Sequence, residues 1–260
     1  MSSVNIGTDF EVFLNKINSY TTRPVPAIGL FEGTKEKPHS IGNGISILVD
    51  NVSLEANTPV HKSPYDMWKS IEHFNKYVRD KGYNPLYFEA KNFFRDDLKS
   101  KEAQEIGCEP DFNVYTQSVN KHTLEGAMRY SGGHIHLDVK QTKDMSTQEW
   151  YEKCFNIVKL CDVFVEPVGR STGGAQRRTK YGYGSFRIKP YGVEYRTIGN
   201  GWAKSLGAVK ELYKAVKKVY NIIEDEERTK KIIEFANTAM GTDVEETHRE
   251  LLLTRAANIK

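Results

Sequence analysis

Long apolar runs, paired cysteines, a nucleotide loop and a strong charge bias are all missing from this chain, and each absence narrows what it can do. No stretch of about 18 apolar residues occurs, so no segment reads as a membrane-spanning helix. The opening MSSVNIGTDF has neither a basic n-region nor an apolar core, which predicts no secretory leader. Cys108, Cys154 and Cys161 are odd in number and lack CxxC spacing. That argues against a disulfide framework or a zinc knuckle, and for a reducing, cytoplasmic setting. A net charge of +3 is too small to point to nucleic acid by itself. Neither a GxxxxGK(S/T) loop nor a strand–GxGxxG–helix unit is present, so any nucleotide must be held in another way.

What is there is material for a substantial core in one domain, residues 1–260, whose part from 205 onward is helical. IGTDFEVF (6–13) alternates as a strand does, with Asp9, Glu11 and Phe13 on one side and Thr8, Phe10 and Val12 on the other. ISILVDNVSLEAN (45–57) reads as one strand or a bulged hairpin. A helix follows, capped by Ser63, opened by Pro64 and stopped by Gly82, with Met67, Ile71, Phe74 and Val78 as its buried stripe. Residues 83–125 are polar and irregular, and GGHIHLDV (132–139) returns to strand. Ser146 and Glu149 form a capping box for a second helix carrying Trp150, Cys154, Ile157 and Cys161 at helical spacing; the two cysteines read as small core residues. Residues 169–189 read as a glycine-rich basic loop, 191–198 as a strand, and the rest as three amphipathic helices. Strands without regular βα alternation, then helices, predict an α+β fold with an antiparallel sheet.

The chemistry-bearing residues lie on those strands. Asp9 and Glu11 are i and i+2, so their carboxylates share a face; a solvated edge strand is the bland alternative. Strict alternation sets Glu55 on the side of Ile45, Ile47 and Val49 and turns Asp50 the other way. His134 and His136 share a face, as do Glu194 and Arg196, with Val193 and Tyr195 turned to the core. Gathered together, Asp9, Glu11, Glu55 and Glu194 would repel one another unless divalent cations sat among them. Oxygen ligands with a single imidazole suit Mg²⁺ or Mn²⁺ better than zinc. The basic run supplies Arg170, Arg177, Arg178, Lys180, Arg187 and Lys189, whose guanidinium forks suit phosphate oxygens, and Tyr181, Tyr183 or Phe186 for stacking a purine.

The ordered series GTDFE, SLEANTP, SGGHIHL and VEYRT resembles the glutamine synthetase/γ-glutamylcysteine ligase superfamily, and within it the phage-type carboxylate–amine (COOH–NH2) ligases, or type-2 amidoligases. The motifs run from Gly7 to Arg196, about three quarters of the chain. The resemblance implies a curved antiparallel sheet of the glutamine synthetase kind with helices behind it. It also implies ATP and two Mg²⁺ or Mn²⁺ ions as cofactors, and an amide bond made through an acyl phosphate. By it, Asp9, Glu11, Glu55, His134 and Glu194 would hold metal, and Arg196 and Arg187 would act on the transferring phosphoryl and acyl groups. Arg178, Arg187, Lys189, Arg196 and His136 would contact the nucleotide. Asp9 stands where glutamate is usual, which draws its carboxylate back by one methylene. Its partners would be small-molecule or peptide acids and amines, in a host cytoplasm if phage-encoded. Two other classes compete: a protein using the basic run to bind nucleic acid or an acidic partner, and a metal-dependent hydrolase using His134 and His136.

Overall fold

The structure, a computed structural model, describes residues 4–18, 23–104, 111–120, 124, 126–241 and 243–259. Cys108 and His122 lie outside the described residues.

The first strand is the axis of the molecule. β1 (Ile6–Lys16) is followed by β2 (His39–Gly42) and a hairpin of β3 (Ile45–Asp50) and β4 (Ser53–Asn57). Next come helix α1 (Pro64–Asp80), β5 (Tyr83–Leu86), β6 (Ala90–Asn92) and the short α2 (Lys101–Gln104). Then follow β7 (Phe112–Asn113), β8 (Ser118–Val119), β9 (Met128–Tyr130) and β10 (Gly133–Asp138). Helices α3 (Thr147–Phe164), α4 (Glu166–Gly173) and α5 (Gln176–Tyr181) lead to β11 (Ser185–Lys189) and β12 (Gly192–Tyr195). Helices α6 (Leu206–Ile223), α7 (Glu226–Ala239) and α8 (Glu246–Ala257) complete the order. The main sheet runs β2-β3-β4-β1-β10-β12-β11-β7-β8, with β5 also on β1, and all its described pairings are antiparallel. An α+β class therefore holds. β1 is interior, flanked by β4 and β10, so the solvated-edge alternative for Asp9 and Glu11 falls.

Local chemistry sets the helices as expected. The Ser63 side chain accepts the Asp66 N–H, Pro64 opens α1, and Gly82, at φ +89, follows its end. Ser146 and Glu149 cap each other's backbone at the start of α3, worth about 1 kcal/mol. The apolar side of β1 (Ile6, Phe10, Val12) joins Ile135, Leu137, Val193 and Tyr195 in a core with Met67, Phe74, Cys154, Cys161 and Val216 of the helices. Helices thus cover one face of the sheet, and the residues alternating with that core lie on the other. No helix among the described residues is long and apolar enough to cross a membrane.

Two sequence expectations need correction. Residues 169–189 are not a loop: α4 and α5 occupy most of the run, punctuated by Gly174 (φ +114) and Gly182 (φ +82), and β11 ends it. The second concerns Glu55. Its register partner on β3 is Leu48, and Asp50 pairs with Ser53 across the two-residue turn Asn51–Val52. Glu55 therefore shares its face with Ser46, Leu48 and Asp50, not with Ile45, Ile47 and Val49. Asn51 takes a left-handed φ of +56, which asparagine tolerates, and lets the chain reverse there.

Candidate active site

Cross-strand register assembles the site. Paired residues of an antiparallel sheet point to the same side. Glu11 is paired with Glu55, Asp9 with His134, Gly7 with His136, His136 with Glu194, and Glu194 with Arg187. Five strands thereby put their polar residues on the face away from the helices, where two groups of potential ligands adjoin along β1. Asp9, His134 and Glu194 form one; Glu11, Asp50 and Glu55 form the other; within each, ligand atoms lie within 4.8 Å of one another.

The two groups differ in charge. In the first, Asp9 Oδ1 lies 3.1 Å from His134 Nδ1 and 3.2 Å from His136 Nε2, and His134 Nδ1 is 3.6 Å from Glu194 Oε1. Cations crowd Glu194: Arg196 is ion-paired to Oε1, Lys189 Nζ is 3.0 Å from Oε2, and Arg187 Nη1 is 3.8 Å from Oε1. Burial and Asp9 push the Glu194 carboxyl up, but Arg196, His134 and Arg187 bring it down to about 2. Burial, with Arg196 and Arg177 beside it, lowers His134, so its imidazole is neutral at pH 7. His136 goes the other way: burial lowers it, but Asp9 outweighs that and raises it, and Nδ1 meets the Tyr191 hydroxyl.

In the second group the carboxylates prevail. Lys35 faces it, with Nζ 3.3 Å from Asp50 Oδ2, and Glu11 Oε2 accepts the Gly132 N–H at 2.6 Å. Burial drives Glu55 well above the usual carboxylate range, and the charges of Asp9, Glu11 and Asp50 add to the rise against Lys35. Glu11, Asp50 and Glu55 are each under 10% exposed. Three buried acids so close are a costly arrangement for a protein alone and a favourable one for a hard divalent cation. In the first group, Asp9 Oδ1 and Glu194 Oε2 are buried acceptors without an aligned hydrogen bond, as ligand atoms awaiting a cation would be. The donor set, oxygen with one imidazole, fits Mg²⁺ or Mn²⁺.

Of the residues singled out from sequence, Asp9, Glu11, Glu55, His134, His136, Glu194, Arg187, Lys189 and Arg196 converge here. Arg178 does not. Its Nε is 2.8 Å from Glu166 Oε1, it pairs with Glu246, and its guanidinium covers the Tyr183 ring. It is held by α4 and α8 because the acids that claim it lie outside the basic run. The stacking platforms are also engaged: Tyr183 and Phe186 are buried, and Tyr181 lies under the Arg177 guanidinium. Arg177, only 2% exposed, faces His134. Arg177 and Arg178 of the basic run are thus turned inward. His61 binds Ser70, His73 binds the Ile41 carbonyl and His39 pairs with Glu32, so these three histidines are engaged elsewhere than with His134 and His136.

Sequence reading turned Asp50 away, offered Arg177 only as one member of the basic run, and missed Lys35. An Asp-Asn pair at a strand end, read as a hairpin turn, would have recovered Asp50; nothing local marks Lys35.

A protein-family model described as Phage phiEco32-like COOH.NH2 ligase-type 2 matches residues 113–252, more than half of the chain. The match includes His134, Glu194 and Arg196, while Asp9, Glu11, Asp50 and Glu55 lie before it. No curated protein matches the chain.

Proposed function

The chain belongs to the phage phiEco32-like COOH.NH2 ligase-type 2 family, and from that premise we propose that it is an ATP- and Mg²⁺-dependent carboxylate–amine ligase on a glutamine synthetase-like fold. The observation that carries the reading is the pair of adjoining ligand groups, one acidic and one ringed by Arg196, Arg187 and Lys189, on a single sheet face.

Glu11, Asp50 and Glu55 would hold one divalent cation and Asp9, His134 and Glu194 a second. Bound there, such cations supply charge neutralisation for the ATP phosphates and polarise the γ-phosphoryl group. The protein's own part is electrostatic. Arg187 and Lys189 lie beside Glu194 at the edge of the site, where their N–H groups can meet phosphate oxygens. Arg196, 3% exposed and fixed by Glu194 and Asp111, has little freedom to reorganise, which suits it to stabilise charge that develops during reaction. A substrate carboxylate oxygen attacks the γ-phosphorus and ADP leaves, giving an acyl phosphate. The amine nitrogen then attacks the acyl carbon, inorganic phosphate departs, and the amine gives up a proton. Amide formation in water is uphill, and phosphoryl transfer supplies the drive.

The test is incubation with Mg-ATP and a pool of amino acids and peptides. ADP and phosphate release that depends on acceptor, with a product whose mass is the sum of two substrates less one water, is the expected result. Folded protein that releases no phosphate with any acid–amine combination counts against the reading.

A further inference from the structure

His134 is faced by a guanidinium on each ring nitrogen. Arg177 Nη2 is 2.8 Å from Nε2, and Arg196 Nη1 is 3.2 Å from Nδ1. Arginine offers only N–H donors, and a neutral imidazole has one nitrogen able to accept. One of the two contacts must be the weaker. With the proton on Nδ1, the ring N–H faces Asp9 Oδ1 at 3.1 Å, Nε2 accepts from Arg177, and Arg196 keeps Glu194 as its acceptor. With the proton on Nε2, it confronts the Arg177 N–H, and the Asp9 carboxylate oxygen faces the bare lone pair of Nδ1 at 3.1 Å. The first arrangement satisfies more groups.

A cation bound through Nδ1 requires the second arrangement, because Nδ1 must then present its lone pair and the ring proton moves to Nε2. That N–H cannot remain at hydrogen-bond distance from the Arg177 N–H. Building on the two-cation reading above, we infer that Arg177 is an internal competitor for the second cation: its bond to His134 and a cation at Asp9–His134–Glu194 exclude each other.

The surroundings are built around this contact. Arg177 Nε donates to the Arg196 carbonyl at 3.2 Å, its backbone N–H reaches Glu89 Oε2 at 3.1 Å, and its guanidinium lies 4.1 Å from the centre of the Tyr181 ring. A Cβ at Gly132 would run into both His134 Nε2 and the guanidinium, so glycine is what allows them to meet. Arg177 rides on the six-residue α5, bounded by Gly174 and Gly182, both at positive φ.

Two measurements test it. In protein labelled with ¹⁵N-histidine, with the His134 signal identified by its loss in His134→Gln, the ring proton sits on Nδ1 without cation. It moves to Nε2 with Mg²⁺ and a non-hydrolysable ATP analogue. Titration with Mn²⁺ alone shows a second ion binding Arg177→Met at least about ten-fold more tightly than wild type. A proton that stays on Nδ1 with both ions bound, or a second Mn²⁺ that binds Arg177→Met no more tightly, overturns the inference while first-ion uptake, lost in Glu11→Gln, survives. No Mn²⁺ uptake by any of these proteins overturns the cation reading itself, and the inference with it. The ring measurement needs only wild-type protein and His134→Gln, so it stands even if Arg177→Met does not fold.

Discussion

Glu55→Gln tests the acidic group directly, because it changes one charge and almost no volume. Two unit charges 4.8 Å apart repel by about 3.5 kcal/mol at an effective dielectric of about 20. Ionised Glu55 would face two such neighbours, Glu11 and Asp50, or about 7 kcal/mol. Protonating an ordinary carboxyl of pKa 4.5 at pH 7 costs only about 3.4 kcal/mol, so burial and the neighbouring acids favour the protonated form of Glu55 in the cation-free protein. That cost is the ceiling on what glutamine can gain. Without divalent cations at pH 7, Glu55→Gln should be more stable than wild type by up to about 3 kcal/mol, or roughly 10 °C in melting temperature. The sign of the pH dependence follows from the raised carboxyl. Below about pH 4.5 wild-type Glu55 is protonated in both folded and unfolded chains, so the advantage vanishes; it grows as pH rises towards the folded-state value.

Saturating Mg²⁺ should reverse the order. A cation at about 1,000 times its dissociation constant adds about 4.1 kcal/mol to a protein that binds it, and Glu55→Gln, one carboxylate short, gains far less. Calorimetric melts at pH 7 and pH 4.5, in chelator and in Mg²⁺, give all four values. Should Glu55→Gln be the less stable protein in chelator, and should Mg²⁺ raise both proteins equally, Glu11, Asp50 and Glu55 are not a cation site. ATP turnover should be lost in the same variant.

Asp50→Asn should likewise abolish most of the Mg²⁺-induced rise in melting temperature; a full rise would remove Asp50 from the ligand group. Arg196→Lys keeps the charge but not the two-point fork, and steady-state kinetics should show kcat lower by about 100-fold with the fold intact; unchanged kcat would take Arg196 out of the reaction. Glu166, buried between Arg178 and Arg170, is pushed by burial up to about 7 despite both arginines. A folded-state value above the ordinary 4.5 contributes stability below about pH 4.5 that is lost as pH rises through about 7. Denaturant melts of wild type against Glu166→Gln should therefore differ by about 3 kcal/mol between those limits, and a difference independent of pH would refute the assignment.

The acidic face was legible wherever a ligand could be placed by alternation within one strand. Asp9 with Glu11, His134 with His136, and Glu194 with Arg196 needed only the two-residue period, and antiparallel register then brought the strands together. Alternation fails at a turn. Asp50 and Ser53 are three apart in sequence yet paired on one face, so parity counted through Asn51–Val52 comes out inverted, and Asp50 was turned away from Glu55 when it stands beside it. The basic run failed for a different reason. Composition marks arginines and glycines as a solvated loop, but Glu89, Glu166 and Glu246, which draw Arg177 and Arg178 inward, come from segments about 10 to 90 residues away. Adjacent arginines on α5 consequently part company, one to His134 and the other to Glu166. Local pattern decides which side of an element a residue takes; the opposite charge that claims it is settled only when the chain closes.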